Sequence, residues 1–277
     1  MQQPIVSIIL PVYNCQYFLT KALDSVVKQS FSDWELIIID DGSDIETQNI
    51  LSSFQSKHIN KIKIYRNNTN KGLIYSLNRG IDLCNGKYVA RIDCDDEWSP
   101  DKLKKQVEFL EQHKEYVMVG TWTKILIFEQ ENKNPHQAKY ITYDEIRKNI
   151  LKYNFIVHSS IVIRMEIIKE EKYSYKWLHI EDYELWLRLL RKYKVYIIPE
   201  KLTMYRFGTH SISYRKAIIQ NSNKLKLKFT YWKYFPKDFT TWLYLLVDVK
   251  DLIFSIRTKY LPWLFFRKPY GGRHKKS

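Results

Sequence analysis

Residues 35–43 read ELIIIDDGS. Leu36 to Ile39 form an apolar run rich in β-branched side chains, and the run stops abruptly at Asp40-Asp41-Gly42-Ser43. A short apolar run closed by turn-forming residues reads as a strand buried on both faces. Upstream, IVSIIL (5–10) has the same character, is closed by Pro11, and leads into a helical stripe of Leu19, Leu23, Val26 and Val27. Downstream the unit repeats: a helical stretch over 47–54, a strand over 62–65, a helix over 72–84, and a strand over 88–92 that ends at Asp93. Ser99-Pro100-Asp101 then offers an N-cap, a proline at the first helical position and an early acid, ahead of a stripe of Leu103, Val107 and Leu110.

Strands alternating with helices, each strand apolar throughout, predict an α/β fold: a mostly parallel, Rossmann-like sheet with helices on both faces. In such sheets ligands bind beyond the carboxyl ends of the strands. Tyr13, Asp40, Asp41, Asp93 and Asp95 fall at those ends, from three different strands. After about residue 114 the pattern loosens into an apolar stretch over 117–128, a polar insertion near 129–139, a strand over 161–163 and a strong helix over 181–193.

The 277 residues suffice for one large α/β domain with an appendage. Of the net charge of +15, residues 214–277 carry +12, from 15 Lys or Arg against 3 Asp or Glu, and they hold 15 of the 42 aromatics. That shift in composition marks a boundary near 214, beyond which a helical, basic and aromatic appendage is expected. Within its apolar stretch lie Asp248, Lys250, Asp251, Arg257 and Lys259, which argue against a spanning helix and for a segment lying on an anionic membrane surface. The competing reading is that its apolar side packs on the rest of the chain. The three cysteines, Cys15, Cys84 and Cys94, are widely spaced and form no CxxC pair, so no disulfide and no structural zinc site is expected. The N-terminus lacks the features of a signal peptide, and a cytoplasmic setting is expected.

Asp93-Cys94-Asp95-Asp96 is the sharpest feature. Carboxylates at i and i+2 of an extended segment point the same way and can face a divalent cation or a ribose. Their hard oxygens suit Mg²⁺ or Mn²⁺. Acidic turns are common on surfaces, but this one directly follows a buried strand. A carboxylate in Asp40-Asp41-Gly42-Ser43 can accept from a base N–H or from ribose hydroxyls, or can simply form an Asx turn that caps the next helix. Cys94 has no neighbouring base and reads as a bystander, and His158 ahead of Ser159-Ser160 reads as structural. No GxGxxG or GxxxxGK[ST] is present.

Together SIILPVYN (7–14), ELIIIDDGS (35–43), NKGLIYSLNRGI (70–81), GKYVARIDCDDEW (86–98), EDYELWLRL (181–189) and YRFGTHSIS (205–213) resemble, in order and spacing, glycosyltransferase family 2 with its GT-A fold. The resemblance implies a catalytic domain over 1–213, with a nucleotide-sugar half (1–110) and an acceptor half (111–213), followed by the 214–277 segment. It implies that Pro11, Tyr13 and Asp41 hold the nucleobase of a nucleotide-sugar, a UDP-sugar by preference, and that Lys71 borders the base and diphosphate. Asp93 matches the ribose contact, Asp95 the main metal ligand, Asp96 its neighbour, and His210 a position that can reach the metal or the diphosphate. Asp182 matches the catalytic base.

Chemistry agrees with those roles. A departing nucleoside diphosphate needs positive charge, the attacking hydroxyl needs a carboxylate, and Asp182 opens a helix whose dipole favours the ionised form. Direct displacement inverts the anomeric carbon. The acceptor is expected to be a glycan, lipid-linked in cell-surface polysaccharide or lipopolysaccharide assembly, which would place the enzyme on the inner face of the membrane. A nucleotidyltransferase is the nearest rival. A non-catalytic nucleic-acid binder fits poorly, because acids at three strand ends repel phosphate. Sugar, linkage and oligomeric state are not specified by the sequence.

Overall fold

The computed structural model describes residues 3–58, 60–127, 130–132, 140–208 and 216–260. Strands β1 (Val6–Val12) and β2 (Trp34–Asp40) pair in parallel from Val6 opposite Trp34 to Val12 opposite Asp40, and every residue of both is buried. Alternation along each strand divides the core between the two faces. Ile9, Ile37, Ile39 and Val89 join one cluster, while Ile8, Leu10, Leu36, Ile38 and Ala90 join the other. β3 (Ile62–Arg66) and β4 (Tyr88–Arg91) extend the parallel set on either side, and α1 (Gln16–Val27), α2 (Ile45–Lys57) and α3 (Leu73–Leu83) connect its strands. Pro11 has no N–H to give the sheet. It is tolerated because the β1–β4 ladder ends at Ile9 opposite Arg91, one step before that N–H would be needed.

The second half completes a nine-stranded sheet of order β3-β2-β1-β4-β8-β6-β9-β5, with β7 (Gln130–Asn132) on β6. β8 (Val162–Arg164) is antiparallel to both β4 and β6 (Tyr116–Ile127), and β6 runs parallel to β9 (Lys194–Phe207). β5 (Glu97–Trp98) pairs antiparallel with β9. The sequence pattern does not reveal β9, because its polar middle, Pro199-Glu200-Lys201, is exposed and its register on β6 shifts near Trp122. α4 (Lys102–Gln112) also differs from expectation: Ser99 is not its N-cap. The Ser99 N–H donates to Leu202 O on β9 and its carbonyl accepts from Lys102, so a turn precedes the helix. Gln29 supplies the cap from another element, accepting from the Leu103 N–H at 3.0 Å.

α5 (Tyr143–Asn149), opened by a Thr142–Glu145 capping box, α6 (Met165–Glu171) and α7 (Glu181–Leu190) cover the second half. The basic tail continues as α8 (Ala217–Tyr231) and α9 (Phe239–Tyr260), which pack against each other. Leu227, Tyr231 and Phe235 lie in the same core cluster as Trp186 of α7. Polar bonds fix the join: Tyr231 Oη donates to Glu184 at 2.8 Å, Lys228 Nζ to Lys152 O at 2.7 Å and Arg147 to Tyr234 O at 2.9 Å. Among the described residues no helix is long and apolar enough to cross a membrane.

Candidate active site at the carboxyl ends of the strands

The two acids that close β2 divide their work. Asp40 is buried, accepts from the Ser43 N–H three residues on at 2.9 Å and pairs with Arg66 at 2.7 Å, so it closes the turn locally. Asp41 instead gathers the 67–72 loop, accepting from Asn67 Nδ2 at 2.6 Å and from the backbone N–H groups of Lys71 and Gly72 at 2.9 and 2.8 Å. Gly42 and Gly72 have φ of +78° and +90°, where an L side chain is strained, and a Cβ on Gly42 would stand 2.9 Å from the Thr69 backbone. α2 is capped by Asp44, which accepts from the Thr47 N–H at 2.9 Å. Pro11 is buried in β1, while the Tyr13 ring is half exposed and the Lys71 side chain is open to solvent. Asp41 therefore fixes the backbone at Lys71 against the end of β2.

Beyond β4, Asp93, Asp95 and Asp96 bring one carboxylate oxygen each within 4.8 Å of one another. Crowding and burial both resist ionisation. Asp95 is pushed up to about 7, by burial first and the Asp93 charge next. Asp96, fully buried, is raised well above the carboxylate range by burial and then by Asp95. Its Oδ1 accepts from the Arg206 N–H at 3.0 Å, while Oδ2 is buried with no hydrogen-bond partner among the described residues. An orphaned buried oxygen among three mutually repelling carboxylates, with oxygen donors only, is a set that Mg²⁺ or Mn²⁺ fits.

Arg91 holds the centre. It is 2% exposed, pairs with Asp93, and leaves Nε and Nη1 buried without partners among the described residues. Its charge acts on Asp93 and reaches Asp96 and Asp182. Ser159 Oγ accepts from the Asp93 N–H at 3.0 Å, and Arg206 donates to Asp95 O at 2.8 Å, so the turn ahead of β8 and the strand β9 brace the acidic turn.

At the head of α7, Asp182 Oδ1 accepts from the Tyr183 N–H at 2.6 Å and Oδ2 from Asn154 Nδ2 at 3.0 Å. Asn154 is itself oriented by the Ile156 N–H, which donates to its Oδ1 at 3.3 Å. Burial raises Asp182 above the usual carboxylate range, and those two bonds oppose the rise. Glu181 beside it is pushed up to about 7 by burial and then by Asp182.

The structure thus joins Asp93, Asp95 and Asp96 directly, and places Asp182 and Glu181 within the electrostatic reach of Arg91 and Asp93. His210 lies outside the described residues. Arg91 and Asn154 escape the sequence reading, and Ser159, noted there only beside His158, gains its contact with Asp93 from the fold. Only Arg91 leaves a trace there, as a lone cation in the apolar run YVARI, two residues before Asp93. His158 is buried and hydrogen-bonded to Tyr173 Oη at 2.6 Å, with its basicity suppressed by burial, which agrees with a structural role.

The expectation that no disulfide forms is overturned. Cys15 and Cys94, 79 residues apart, are bonded to each other, and only Cys84 stays free among the described residues. Cys15 follows the Tyr13 loop and Cys94 sits inside the acidic turn, so the bond ties the end of β1 to the end of β4. Parallel pairing of β1 with β4 brings the two positions together, and no motif in the sequence records that proximity.

Residues 7–171 match the sequence family described as Glycosyl transferase family 2. EpsE of Bacillus subtilis (strain 168), named as a glycosyltransferase, is 32% identical over 248 residues, covering 84% of this chain and 87% of that one. WfgD of Escherichia coli, named as a UDP-Glc:alpha-D-GlcNAc-diphosphoundecaprenol beta-1,3-glucosyltransferase, is 29% identical over 219 residues, covering 78% and 82%. Among solved structures, the mannosyltransferase PcManGT of Pyrobaculum calidifontis, in complex with GDP-Man and Mn²⁺, superposes with a TM-score of 0.66 at 14% identity, covering 98% and 77%.

Proposed function

This chain belongs to glycosyl transferase family 2 and is a glycosyltransferase, and on that premise we propose that it works with inversion at the anomeric carbon. The donor is a nucleotide-sugar, with UDP as the nucleotide, and the acceptor is a hydroxyl of a lipid-linked glycan in cell-surface polysaccharide assembly. The names of relatives support that choice, since WfgD is named for a UDP-sugar and a diphosphoundecaprenol-linked acceptor. Residues 1–110 serve the donor and 111–213 the acceptor, at the inner face of the cell membrane.

One observation carries the reading: Asp93, Asp95 and Asp96 bring one carboxylate oxygen each within 4.8 Å of one another beside the buried Arg91, which pairs with Asp93. Asp95 and Asp96 would hold Mn²⁺ or Mg²⁺, and the ion would supply positive charge for the diphosphate as it leaves. Asp93 receives the ribose, the exposed Tyr13 ring and Pro11 flank the base, and Asp41 fixes the loop that presents Lys71. His210, outside the described residues, would be a further contact to the metal or the diphosphate on the family motif YRFGTHSIS alone. On the other side Asp182, its carboxylate aimed by Asn154, takes the proton of the acceptor hydroxyl. The hydroxyl oxygen bonds to the anomeric carbon, the bond from that carbon to the phosphate oxygen breaks, and its electrons leave with the diphosphate.

Asp182→Asn tests the assignment. Transfer falls by about a thousandfold or more, while donor affinity by calorimetric titration with Mn²⁺ stays within about twofold. Turnover retained in that variant would place the base elsewhere. The released product discriminates the rival reaction, since a glycosyltransferase liberates nucleoside diphosphate and a nucleotidyltransferase pyrophosphate.

A further inference from the structure

The two sides of α9 have opposite character. Thr241, Leu245 and Asp248 are buried, and they mark the edge that packs inward. Asp248 lies between Lys224, at 2.7 Å, and Lys228. The acid that helps exclude a spanning helix is therefore spent inside the protein.

The opposite side follows the three-and-four spacing of one helical ridge: Phe239, Leu243, Leu246, Lys250, Ile253 and Arg257. All six are exposed, Phe239 by 76%, Leu246 by 65% and Ile253 by 51%, and Trp242 and Val247 flank them. Single exposed apolar side chains are ordinary on a soluble surface, but a continuous ridge of them marks a binding face.

Charge decides what covers it. The ridge carries two cations and no acid, and beyond Asp251 the sequence contains no Asp or Glu at all, while Arg267, Lys268, Arg273, Lys275 and Lys276 follow. Pairing with a second copy would place Lys250 and Arg257 in an apolar seam without acidic partners, at a cost in desolvation. An anionic bilayer has no such penalty, because apolar side chains enter the acyl boundary while long cationic stems reach the phosphates. We propose that this face of α9 docks the protein in the plane of an anionic lipid surface.

The placement relative to the site agrees. α8 lies against α9 and holds the loop that leads into Glu181-Asp182, with Gln220 Nε2 donating to His179 O and Asn223 Nδ2 to Leu178 O, each at 3.0 Å. The docked face is thus joined to the acceptor side through one helix. This deepens the reading above by naming the surface on which a lipid-linked acceptor is met. Its test reads binding without turnover, so its failure leaves glycosyl transfer standing.

The full chain is floated with vesicles of phosphatidylcholine alone and of phosphatidylcholine mixed with phosphatidylglycerol. Binding to the mixed vesicles at low salt is expected, weakened about tenfold on the neutral ones and in Leu246→Ser/Ile253→Ser. Circular dichroism and donor hydrolysis of that variant match the parent if it folds, and Lys250→Glu/Arg257→Glu, which removes no apolar surface, gives an independent reading with the same expected loss. Three results would overturn the proposal: a parent chain that stays free of mixed vesicles, variants that bind as the parent does, or a solution dimer that Leu246→Ser/Ile253→Ser splits with vesicle binding unchanged.

Discussion

As the proposed base, Asp182 acts only when ionised, so on that reading transfer is lost as pH falls through its pKa. Burial holds that pKa above the ordinary carboxylate range, and the N–H of Asn154 pulls it back. Asn154→Ala removes the bond, the pKa rises, and the acidic limb of the kcat against pH profile moves toward higher pH. A shift of about one unit, roughly a tenfold loss on that limb, is the expected size. A uniform drop in kcat with the limb unmoved would make Asn154 a packing residue only. At this scale the acids were legible because they interrupt apolar runs at strand ends. Asn154 was not, since its meaning comes from a carboxylate 28 residues later, and Arg91 was hidden inside a strand that looked merely apolar.

The elements of the first half follow from local pattern, because β1, β2 and β4 are buried throughout and each helix carries its own stripe. Those of the second half depend on partners far away: β9 forms around an exposed middle because β6 and β5 pair with it on both sides. The tail belongs to this second kind. Its composition set it apart, yet Leu227, Tyr231 and Phe235 complete the main core, and the α8–α9 contact encloses a charge cluster. Lys228 and Asp248 have side chains only 1% and 5% exposed, so losing one partner strands the other. Asp248→Asn is expected to lower stability by about 3 kcal/mol in urea unfolding and to open the 232–238 connection to proteolysis. Unchanged stability and protease resistance would mean that α9 is held by apolar contacts alone.

Over the whole molecule, the site holds more buried acid than it can neutralise by itself. Glu181 and Asp95 are both held up at about 7, each chiefly by burial. A carboxyl group whose folded pKa lies above its unfolded one favours folding while protonated, and that contribution is lost as pH rises through the folded value. The metal-free protein should therefore lose several degrees of Tm between about pH 5 and about pH 8. Mn²⁺ with UDP should restore most of that loss, since a bound cation favours the ionised carboxylates. A Tm that is flat or rises over that interval without metal would show that the acids are not buried together. From the sequence alone came the parallel α/β half, the acids at its strand ends, the family, and a tail of different chemistry, all of them properties of residues near in the chain or of motifs in fixed order. Tertiary structure alone decided that a buried Arg91 pairs with Asp93, that Cys15 meets Cys94, that Asn154 bonds Asp182, and which side of α9 faces outward. The last three depend on contacts between segments far apart in sequence, and no periodicity along the chain records the distance at which such segments will meet.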